Sequence, residues 1–327
     1  MRTTLSVILP VRNGERHLGA CLDSISLQKN DSMEILVLDD GSTDTTAALA
    51  EEKAKNDPRI RLIRKPNSGY GDTMNRGLEL AKGKYVAFAE SDDELLPDAY
   101  TRALELAEQG NYEMVKSDFL CFDAKGAYPV RSARFADLYN RDLESGDAFR
   151  LLASVPEIGH WSGIYRKEFL DGNGIRFNST PGASFQDLGF YLKVLLCLKR
   201  FVLTGKLTYR YRIDNPASSM KSTGKLHCME YEMDSVERFA DERGILTQEL
   251  KTALLANRLY HSFVHYRRLS PQLKREYAKE IVRLIRRIGW KNYAKLHPFD
   301  KIRAPLFLYF PPGFALLSGL RNRLLPG

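Results

Sequence analysis

The sequence predicts an α/β fold in which a mostly parallel sheet is flanked by helices and followed by a helical C-terminal extension. Four short apolar and β-branched runs, LSVILPV, EILVLDD, IRLIRK and KYVAFAE, have the length and composition of strands. Helical patterns lie between them, at residues 15–29, 44–56 and 71–82. Strands that alternate with helices in this way are typical of a parallel sheet covered on both faces.

Polar residues follow each predicted strand directly. In order along the chain, they are Pro10, Arg12 and Asn13, then Asp39 and Asp40, then residues 67–72, then residues 90–93. In open parallel sheets, ligands bind beyond the carboxyl ends of the strands. We therefore expect these four clusters to meet at one edge of the sheet and to form a binding site.

Each cluster also has a purely structural interpretation. DDGSTD, residues 39–44, has the residues of a turn and a helix N-cap, and ESDDE, residues 90–94, has those of a solvated loop before a helix. NSGYGDTMNRG, residues 67–77, lacks the third glycine of a dinucleotide-binding loop. The nearby lysine, Lys65, precedes the glycines, whereas in a P-loop it follows them. These features argue against a dinucleotide site and a P-loop.

Composition limits the class of protein. The chain has 327 residues, of which 43% are hydrophobic and 28% charged, as in ordinary globular proteins. Its four cysteines are scattered without a CxxC pair, which argues against a zinc site or a disulfide framework. The first apolar run is too short for a secretory signal peptide. These observations predict a cytoplasmic protein.

Charge is distributed unevenly along the chain. Residues 251–327 carry 16 of the 49 basic residues and 3 of the 41 acidic ones, a net charge of +13, whereas residues 1–250 carry −5. REYAKEIVRLIRRIGW, residues 275–290, has the pattern of a basic amphipathic helix. The pattern predicts either an anionic membrane surface as partner or packing against the catalytic domain. Basic residues interleaved with exposed aromatics, or a known nucleic-acid-binding module, are not evident, so nucleic acid is not expected.

Three segments together resemble the motifs of family 2 glycosyltransferases, inverting enzymes with a GT-A fold. They are SVILPVRNGERHLGACLDSI, EILVLDDGSTDTT and NSGYGDTMNRGLELAKGKYVAFAESDDELLPD. The resemblance implies a GT-A catalytic domain over residues 1–220. It further implies a Rossmann-like, nucleotide-sugar-binding half at 1–110 and an acceptor half at 111–220. Residues 221–327 remain as a basic helical region, with membrane association as one expected role.

The resemblance also implies site residues for the donor. Nucleotide-binding candidates are Pro10, Arg12, Glu15, Asp39, Asp40, Asn67, Gly71, Asn75 and Ser91. Within this set, Asp40 is the expected partner of the uracil N3 hydrogen. Mn²⁺ or Mg²⁺ is the implied cofactor, with Asp92 as the first metal ligand, Asp93 as the second candidate and Glu90 in the position of the motif's first Asp. Glu90 and Met74 depart from the usual family residues.

On the acceptor side, the resemblance places the general base at Asp187, with Gln186 where the family commonly has Glu. Ser184 and Asp187 also fit a helix capping box, and the two roles can coexist. Trp161 is a candidate sugar platform or a core aromatic. Arg212 and Ser219 belong to a candidate diphosphate loop that also has the composition of a plain polar loop. His261 and His265 are expected to be ordinary surface histidines, because no Glu follows the first one as in HExxH.

The expected activity is transfer of a sugar from a nucleotide sugar, with a UDP-sugar as the expected donor, to a hydroxyl of a glycan or lipid-linked acceptor. Inversion at the anomeric carbon, a role in cell-surface polysaccharide synthesis and a peripheral position at the inner face of the cell membrane are part of this expectation. The alternatives are a catalytically impaired nucleotide-sugar scaffold or sensor, and a nucleotidyltransferase.

Overall fold

The structure is a computed structural model that describes residues 3–130, 133–154, 159–216, 225–293, 296 and 298–310. The chain forms two compact units. The first comprises Met1–Ala148 and Ile158–Asn215, and the second comprises Phe149–Glu157 and Pro216–Gly327.

The first unit is built on one ten-stranded sheet. In chain order the strands are β1 (Leu5–Val11), β2 (Met33–Asp40), β3 (Ile60–Lys65), β4 (Tyr85–Phe88), β5 (Glu94–Leu95), β6 (Met114–Asp123), β7 (Gly126–Val130), β8 (Leu143–Glu144), β9 (Gly163–Arg166) and β10 (Arg200–Arg212). The spatial order is β3-β2-β1-β4-β9-β6-β10-β5, with β7 beside β6 and β8 beside β10.

Seven helices accompany this sheet in sequence. They are α1 (Leu18–Ser26), α2 (Thr46–Asn56), α3 (Tyr70–Leu80), α4 (Ala99–Gly110), α5 (Ser145–Ala153), which runs from the first unit into the second, α6 (Lys167–Gly172) and α7 (Gln186–Cys197). The three helices predicted between the first four strands are confirmed as α1, α2 and α3, each within a few residues of its predicted ends.

The core of the first unit lies around β1 and β2. Every residue of β1 is buried, and in β2 only Glu34 is partly exposed. Continuous apolar strands of this kind are expected where helices cover both faces of a sheet, because neither face then meets water. The α/β class predicted from the sequence is confirmed.

The sheet is parallel only in part. β1, β2, β3 and β4 pair in parallel, and β6 pairs in parallel with β10. β9 lies between β4 and β6 and is antiparallel to both, and β5, β7 and β8 also pair antiparallel. This mixture differs from the mostly parallel sheet that the strand–helix alternation predicts, because that alternation covers only the first four strands.

The second unit contains the last four helices of the described chain, α8 (Cys228–Asp241), α9 (Gln248–Arg268), α10 (Pro271–Tyr293) and α11 (Pro298–Tyr309). The helical C-terminal extension predicted from the sequence is therefore present. α10 is interrupted at Gly289, whose φ of 63° lies in the left-handed region that glycine adopts without steric cost.

The apolar face of the predicted basic helix is buried inside the second unit. Tyr277, Ile281, Leu284 and Ile288 of α10 are all buried, and the Tyr277 ring packs edge-on against His265 of α9 at 4.9 Å. The basic face, which comprises Lys279, Arg283, Arg286 and Arg287, is exposed. The apolar side of α10 thus packs against α9 within the second unit, and packing against the catalytic domain remains a prediction.

The two histidines of α9 are buried, so their expected surface position is wrong. His261 is 4% exposed and His265 is 3% exposed. Burial, together with the Arg268 and Arg303 charges, lowers the pKa of His261 to about 3. Spacing in sequence could not show this, because α9 is buried over much of its circumference and several of its buried residues are polar. Across the described ranges, no helix combines the length and the apolarity needed to cross a bilayer.

Candidate active site

The carboxyl ends of β1, β2 and β3 lie at one edge of the sheet. Val11 is paired with Asp39, and Asp40 is paired with Lys65. Because the three strands are parallel and end at about the same level, the loops that follow them are neighbours. The polar residues after these strands therefore meet at one edge, as the sequence predicts.

Both oxygens of Asp40 accept hydrogen bonds within the protein. Its Oδ1 accepts hydrogen bonds from Lys65 Nζ at 2.6 Å and from the Ser68 amide at 2.8 Å, and its Oδ2 accepts one from the Gly69 amide at 3.0 Å. Burial alone would raise the pKa of Asp40, but these hydrogen bonds and the Lys65 charge outweigh burial and lower it. Asp40 thus holds the loop before α3 in place.

Asp39 has fewer partners. Its Oδ1 accepts the Ser42 amide at 2.9 Å, which closes the turn after β2, and its Oδ2 lies 3.9 Å from Arg64 Nε. The Arg64 side chain is 65% exposed, so that contact is a weak one. The second oxygen of Asp39 therefore has no hydrogen bond among the described residues, although the side chain is only 2% exposed.

The loop after β1 is tied to the loop after β2. The Asn13 amide donates to Ser42 Oγ, and Asn13 Oδ1 accepts the Thr43 amide, both at 2.9 Å. Glu15 Oε2 accepts the Thr45 amide at 3.1 Å and Thr45 Oγ1 at 2.7 Å. The Glu15 carboxylate thus satisfies an amide at the start of α2, which gives it a structural role at the rim.

Two predicted nucleotide-binding residues of α3 face another loop of the protein. A Cβ on Gly71 would lie 1.9 Å from the Asn178 carbonyl oxygen, so glycine is required by this close approach. The Asn75 side chain donates to the Phe177 carbonyl at 2.9 Å and accepts the Phe177 amide at 3.0 Å. Both residues secure the 177–178 segment against α3.

The remaining predicted nucleotide-binding residues lie along the rim. Pro10 is buried within β1, whereas Arg12 and Asn67 are exposed at the ends of their loops. Ser91 is half-buried, and its Oγ lies 3.5 Å from the position that a Cβ on Gly14 would take. The loop after β4 therefore adjoins the loop after β1.

The carboxylates after β4 differ sharply in environment. Asp93 is 1% exposed, and its Oδ1 accepts the Arg212 amide at 2.7 Å. Burial and the neighbouring Asp92 charge raise the pKa of Asp93 well above its ordinary value. Asp92 is half-buried, and its Oδ2 accepts a hydrogen bond from Asn215 Nδ2 at 2.6 Å. Asp92 is the more accessible of the two aspartates.

Two arginines of β10 neutralise part of the negative charge of these carboxylates. These ion pairs were not among the predictions from the sequence. Arg210 NH1 lies 2.6 Å from Glu94 Oε2, and Arg212 NH2 lies 3.3 Å from Glu94 Oε1. Arg212 Nε also donates to the Asp92 carbonyl at 2.9 Å. The alternation YRYR at the end of β10 is the sequence signal for them, since residues two apart share one face of a strand.

Glu90 lies beside two side chains from other segments. Tyr70 OH donates to Glu90 Oε1 at 2.6 Å and lies 3.0 Å from His160 Nε2. Burial and the Asp92 and Asp187 charges raise the pKa of Glu90 to about 8, although the Tyr70 hydrogen bond opposes them. The Tyr70 amide also donates to the Gly182 carbonyl at 3.2 Å, so the loop before α7 lies near the end of β4.

Asp187 is the second residue of α7, and the predicted capping box is not formed. The helix begins at Gln186, and the N-cap is Phe185, in the left-handed conformation with φ 60°. The Ser184 amide donates to Gln186 Oε1, and Asp187 Oδ1 accepts the Leu188 amide at 2.9 Å. Capping by Ser184 is therefore wrong, because the helix starts one residue later than the motif requires. The Asp187 side chain is half-buried.

Trp161 is packed within an aromatic stack. It is 8% exposed, and its ring stacks on Tyr209 at 4.3 Å and on Tyr211 at 5.3 Å, with Phe119 edge-on at 4.8 Å. These contacts correspond to the core interpretation of Trp161. Ser219 of the candidate diphosphate loop lies outside the described residues.

No three His, Cys, Asp or Glu side chains of the described ranges form a complete metal site. A hard divalent cation on a substrate diphosphate commonly takes only one or two protein carboxylates and receives its other oxygens from phosphate and water. Asp92, half-exposed at the rim, fits that requirement. Asp93 fits less well, because it is buried and its Oδ1 accepts a hydrogen bond from the Arg212 amide. Glu90 also fits less well, because its Oε1 accepts a hydrogen bond from Tyr70.

Comparison with known sequences identifies the class of protein. The profile described as Glycosyl transferase family 2 matches residues 6–173, slightly more than half of the chain. The chain therefore belongs to glycosyl transferase family 2. It is 30% identical over 222 residues to "Uncharacterized glycosyltransferase YibD" of Escherichia coli (strain K12), with 66% of this chain and 63% of that protein covered. The chain spans between half and two thirds of the length of the first curated relatives it matches.

Solved structures share the fold. S. aureus TarS in complex with UDP-GlcNAc has a TM-score of 0.68 at 19% identity, covering 95% of this chain and 88% of that chain. The mannosyltransferase PcManGT from Pyrobaculum calidifontis, in complex with GDP-Man and Mn²⁺, has a TM-score of 0.51 at 15% identity, covering 100% and 89%. The GT-A type fold with a helical C-terminal region, expected from the sequence motifs, is confirmed.

Proposed function

We propose that this protein transfers a sugar from a nucleotide sugar to a hydroxyl of a glycan or lipid-linked acceptor, with inversion at the anomeric carbon. The observation that carries the proposal is the proximity of two carboxylates from different elements. Tyr70 joins the two segments that carry them: its amide donates to the Gly182 carbonyl, in the loop before α7, at 3.2 Å, and its phenol donates to Glu90 Oε1, after β4, at 2.6 Å. The segments that carry a candidate metal ligand, Asp92, and a candidate base, Asp187, therefore meet at one place. Synthesis of a cell-surface polysaccharide is the setting that we propose for this reaction.

For the donor, we propose a UDP-sugar whose uracil is bound by Asp39. The Asp39 side chain is 2% exposed, but its Oδ2 has no hydrogen-bond partner among the described residues, whereas both oxygens of Asp40, the residue expected from the sequence, hold the loop before α3. The TarS complex with UDP-GlcNAc, a protein of the same fold, supports a uridine donor. Pro10, Arg12, Asn67 and Ser91 line the rim beside it.

For the diphosphate, we propose Mn²⁺ or Mg²⁺ with Asp92 as its protein ligand. Such an ion, when bound with the donor, neutralises the charge that develops on the leaving nucleoside diphosphate. The PcManGT complex, which contains Mn²⁺, supports a divalent ion in this fold. Asn215, which donates to Asp92 Oδ2, leaves the other oxygen of that carboxylate for the ion. Arg212 holds Asp92 and Asp93 in place through its guanidinium and its backbone amide.

For the acceptor, we propose that Asp187 removes the hydroxyl proton as the oxygen attacks the anomeric carbon. A positioned general base contributes about 10²- to 10⁴-fold in rate. The hydrogen bond from the Leu188 amide to Asp187 Oδ1 fixes the carboxylate. Gln186 shapes the turn before it by donating to Thr180 Oγ1 at 2.8 Å and to the Gly182 carbonyl at 3.0 Å. Residues 1–110 and 111–220 would then serve donor and acceptor respectively.

We further propose a peripheral position at the inner face of the cell membrane. The exposed basic face of α10 favours anionic lipid, and exposed apolar side chains of α11 supply the contact that the buried face of α10 cannot. Phe299 is 45% exposed, Ile302 is 53% exposed and Tyr309 is 78% exposed. Spacings of three and seven residues place these three on one side of the helix.

The test is a panel of nucleotide sugars applied to the purified full chain, with and without Mn²⁺. We expect thermal stabilisation by UDP and a UDP-sugar that increases with Mn²⁺, together with sugar transfer or slow donor hydrolysis. Stabilisation without any turnover would favour the scaffold or sensor. Consumption of a nucleoside triphosphate with a sugar phosphate would favour a nucleotidyltransferase and reject the proposal.

A further inference from the structure

Three side chains, His160, Tyr70 and Glu90, are linked in a row by hydrogen bonds. Tyr70 is the first residue of α3, and its phenol donates to Glu90 Oε1 at 2.6 Å. The same oxygen of Tyr70 lies 3.0 Å from Nε2 of His160, on the turn before β9. Three segments that are distant in sequence, namely the start of α3, the end of β4 and this turn, are thereby joined beside the candidate active site.

The direction of the hydrogen bonds follows from the number of protons available. A phenol has one proton, and Glu90 Oε1 accepts it whether or not the other oxygen of Glu90 is protonated. The Tyr70 oxygen then accepts from His160 Nε2–H, which leaves Nδ1 without a proton. His160 Nδ1 is buried and has no hydrogen-bond partner among the described residues. Within that part of the chain, the His160 ring therefore acts only as a donor to Tyr70.

The histidine end of this row is fixed by packing. His160 is 1% exposed, and its ring lies 5.4 Å from the ring of Phe88 and 5.8 Å from that of Phe177. The turn that carries it is held by Lys116, whose Nζ donates to the Gly159 carbonyl at 2.5 Å and also to Ser162 Oγ. A ring confined in this way can orient Tyr70 without moving itself.

The length of the side chain at position 90 decides whether the hydrogen bond from Tyr70 can form. An aspartate would withdraw the carboxyl group by about one carbon–carbon bond, ~1.5 Å. Added to the present 2.6 Å, this exceeds the range of an O–H···O hydrogen bond, whose upper end is about 3.0 Å. Glu90, which departs from the family motif, is thus matched to Tyr70.

We propose that Tyr70 and His160 are positioning residues that hold the Glu90 carboxyl group on the donor side of β4, and that position 90 carries Glu because only Glu reaches Tyr70. Glu90 is then held by Tyr70 and is withheld from the metal, which Asp92 binds alone among the carboxylates of this cluster. The inference rests on the proposed function, since it assigns a donor-positioning role within that site.

The experiment is a double-mutant cycle of Tyr70→Phe and Glu90→Asp in the full chain, measured by kcat, the KM for the donor and UDP affinity with Mn²⁺. We expect each single change to lower kcat/KM about tenfold, chiefly through KM, as the loss of one buried hydrogen bond predicts. The double variant should be no worse than Glu90→Asp, because the shortened side chain at position 90 no longer contacts Tyr70. Multiplying losses would overturn the inference.

Two further comparisons separate positioning from simple stability. His160→Gln keeps an N–H donor and should retain more activity than His160→Leu, whereas equal loss in both variants would contradict the positioning role. Tyr100→Phe is the matched control, because the Tyr100 hydroxyl is buried without a hydrogen-bond partner among the described residues. It should leave KM unchanged. A Tyr70→Phe variant that changes melting temperature but not KM would also overturn the inference.

Failure of this inference is distinguishable from failure of the proposed function. If the wild-type chain neither binds UDP nor transfers a sugar, the proposed function is rejected, and the inference that rests on it is rejected too. If the wild-type chain is active but Tyr70→Phe and Glu90→Asp act independently, the function stands and the positioning role of Tyr70 is rejected.

Discussion

At the scale of single residues, neighbouring carboxylates of this site have different partners. Asp39 and Asp40 are adjacent, as are Asp92 and Asp93, yet Asp40 accepts more internal hydrogen bonds than Asp39, and Asp93 is buried whereas Asp92 is half-buried. Successive side chains of β2 point to opposite sides of the strand, and Asp92 lies in the turn after β4, so adjacent residues meet different surroundings. The motif in the sequence therefore contains both roles without indicating which residue has which.

Asp92→Asn tests the proposed metal ligand. Replacing a charged oxygen ligand by an amide should remove most transfer activity and most of the Mn²⁺-dependent part of UDP affinity, while the fold stays intact because no core contact is lost. Calorimetric titration of UDP with and without Mn²⁺ measures this. Asp234→Asn, on a 58% exposed side chain of the second unit, is the control. An unchanged Mn²⁺ effect in Asp92→Asn would reject the assignment.

Asp187→Asn tests the proposed general base. The amide keeps the size of the side chain and an oxygen for the Leu188 amide but cannot take the acceptor proton, so turnover should fall by about 10² or more. UDP affinity and melting temperature should change little. Asp147→Asn, at the first turn of α5 with its Oδ2 on the Glu144 amide, is the matched control. Near-normal turnover in a folded Asp187→Asn protein would contradict the mechanism.

At the scale of elements, an aspartate and an arginine before β3 clamp two helices to the sheet. Arg59 is bidentate to Asp57, at 2.9 and 2.8 Å, and donates to the Ser26 carbonyl at 2.6 Å and the Gln28 carbonyl at 2.9 Å. The clamp thus joins the end of α1 to the end of α2. Hydrogen bonds from Arg59 lower the pKa of Asp57 to about 2, although burial opposes them.

Asp57→Asn should lower the free energy of unfolding at pH 7 by about 1 kcal/mol, a value reduced for partial solvent screening. Because the folded pKa lies below the unfolded value, about 3.9, this stabilisation is complete above pH 4 to 5 and is lost as pH falls towards 2. The wild-type advantage should therefore shrink between pH 5 and pH 3 in urea unfolding. Asp23→Asn, on a 62% exposed side chain paired with Lys53, is the control. An advantage that grows on acidification would contradict this account.

Sequence patterns within single elements predict the first strands and helices but not the direction of every strand. β1 to β4 and α1 to α3 follow from alternating apolar runs and helical periodicity, because each signal lies within one element. The reversal of β9 between β4 and β6 is not visible in that way, since strand direction depends on how a chain of about 75 residues returns to the sheet. The sequence of α10 correctly predicts an amphipathic helix, but it does not indicate the partner of the apolar face.

At the scale of the whole molecule, the net charge of +13 on residues 251–327 and the exposed side of α11 predict attachment to anionic bilayers. Each basic residue near the surface contributes about 1 kcal/mol before screening. The full chain should co-sediment with vesicles of phosphatidylcholine and phosphatidylglycerol, and less so as salt rises. Ile302→Glu should weaken binding about tenfold or more, since it replaces an apolar contact with lipid by a charge.

Leu27→Glu is the matched control for that experiment, because Leu27 is an exposed apolar residue of the first unit, at 75% exposure. It should leave vesicle binding unchanged. Equal binding to neutral and anionic vesicles would contradict the electrostatic part of the proposal. Binding to neither would reject a membrane role for this region, and equal loss in both variants would reject the specific role of α11.

The sequence by itself determined the α/β class, the order of the first strands and helices, the family and the edge at which polar residues collect. These features depend on local periodicity and on motifs in a fixed order, both of which can be read along one stretch of chain. It also placed the candidate base at Asp187 and the acidic cluster after β4, which remain predictions until the variants are measured.

Only the tertiary structure decided which of these residues can still form a hydrogen bond with a ligand. Asp40 is taken up by Lys65, Asn75 by Phe177 and Glu90 by Tyr70, partners that lie from 20 to 102 residues away in sequence. A polar side chain can serve a ligand only when the folded protein has not already satisfied it, because hydrogen-bonding groups are few and directional. That occupancy is a property of the packed chain, and no local pattern contains it.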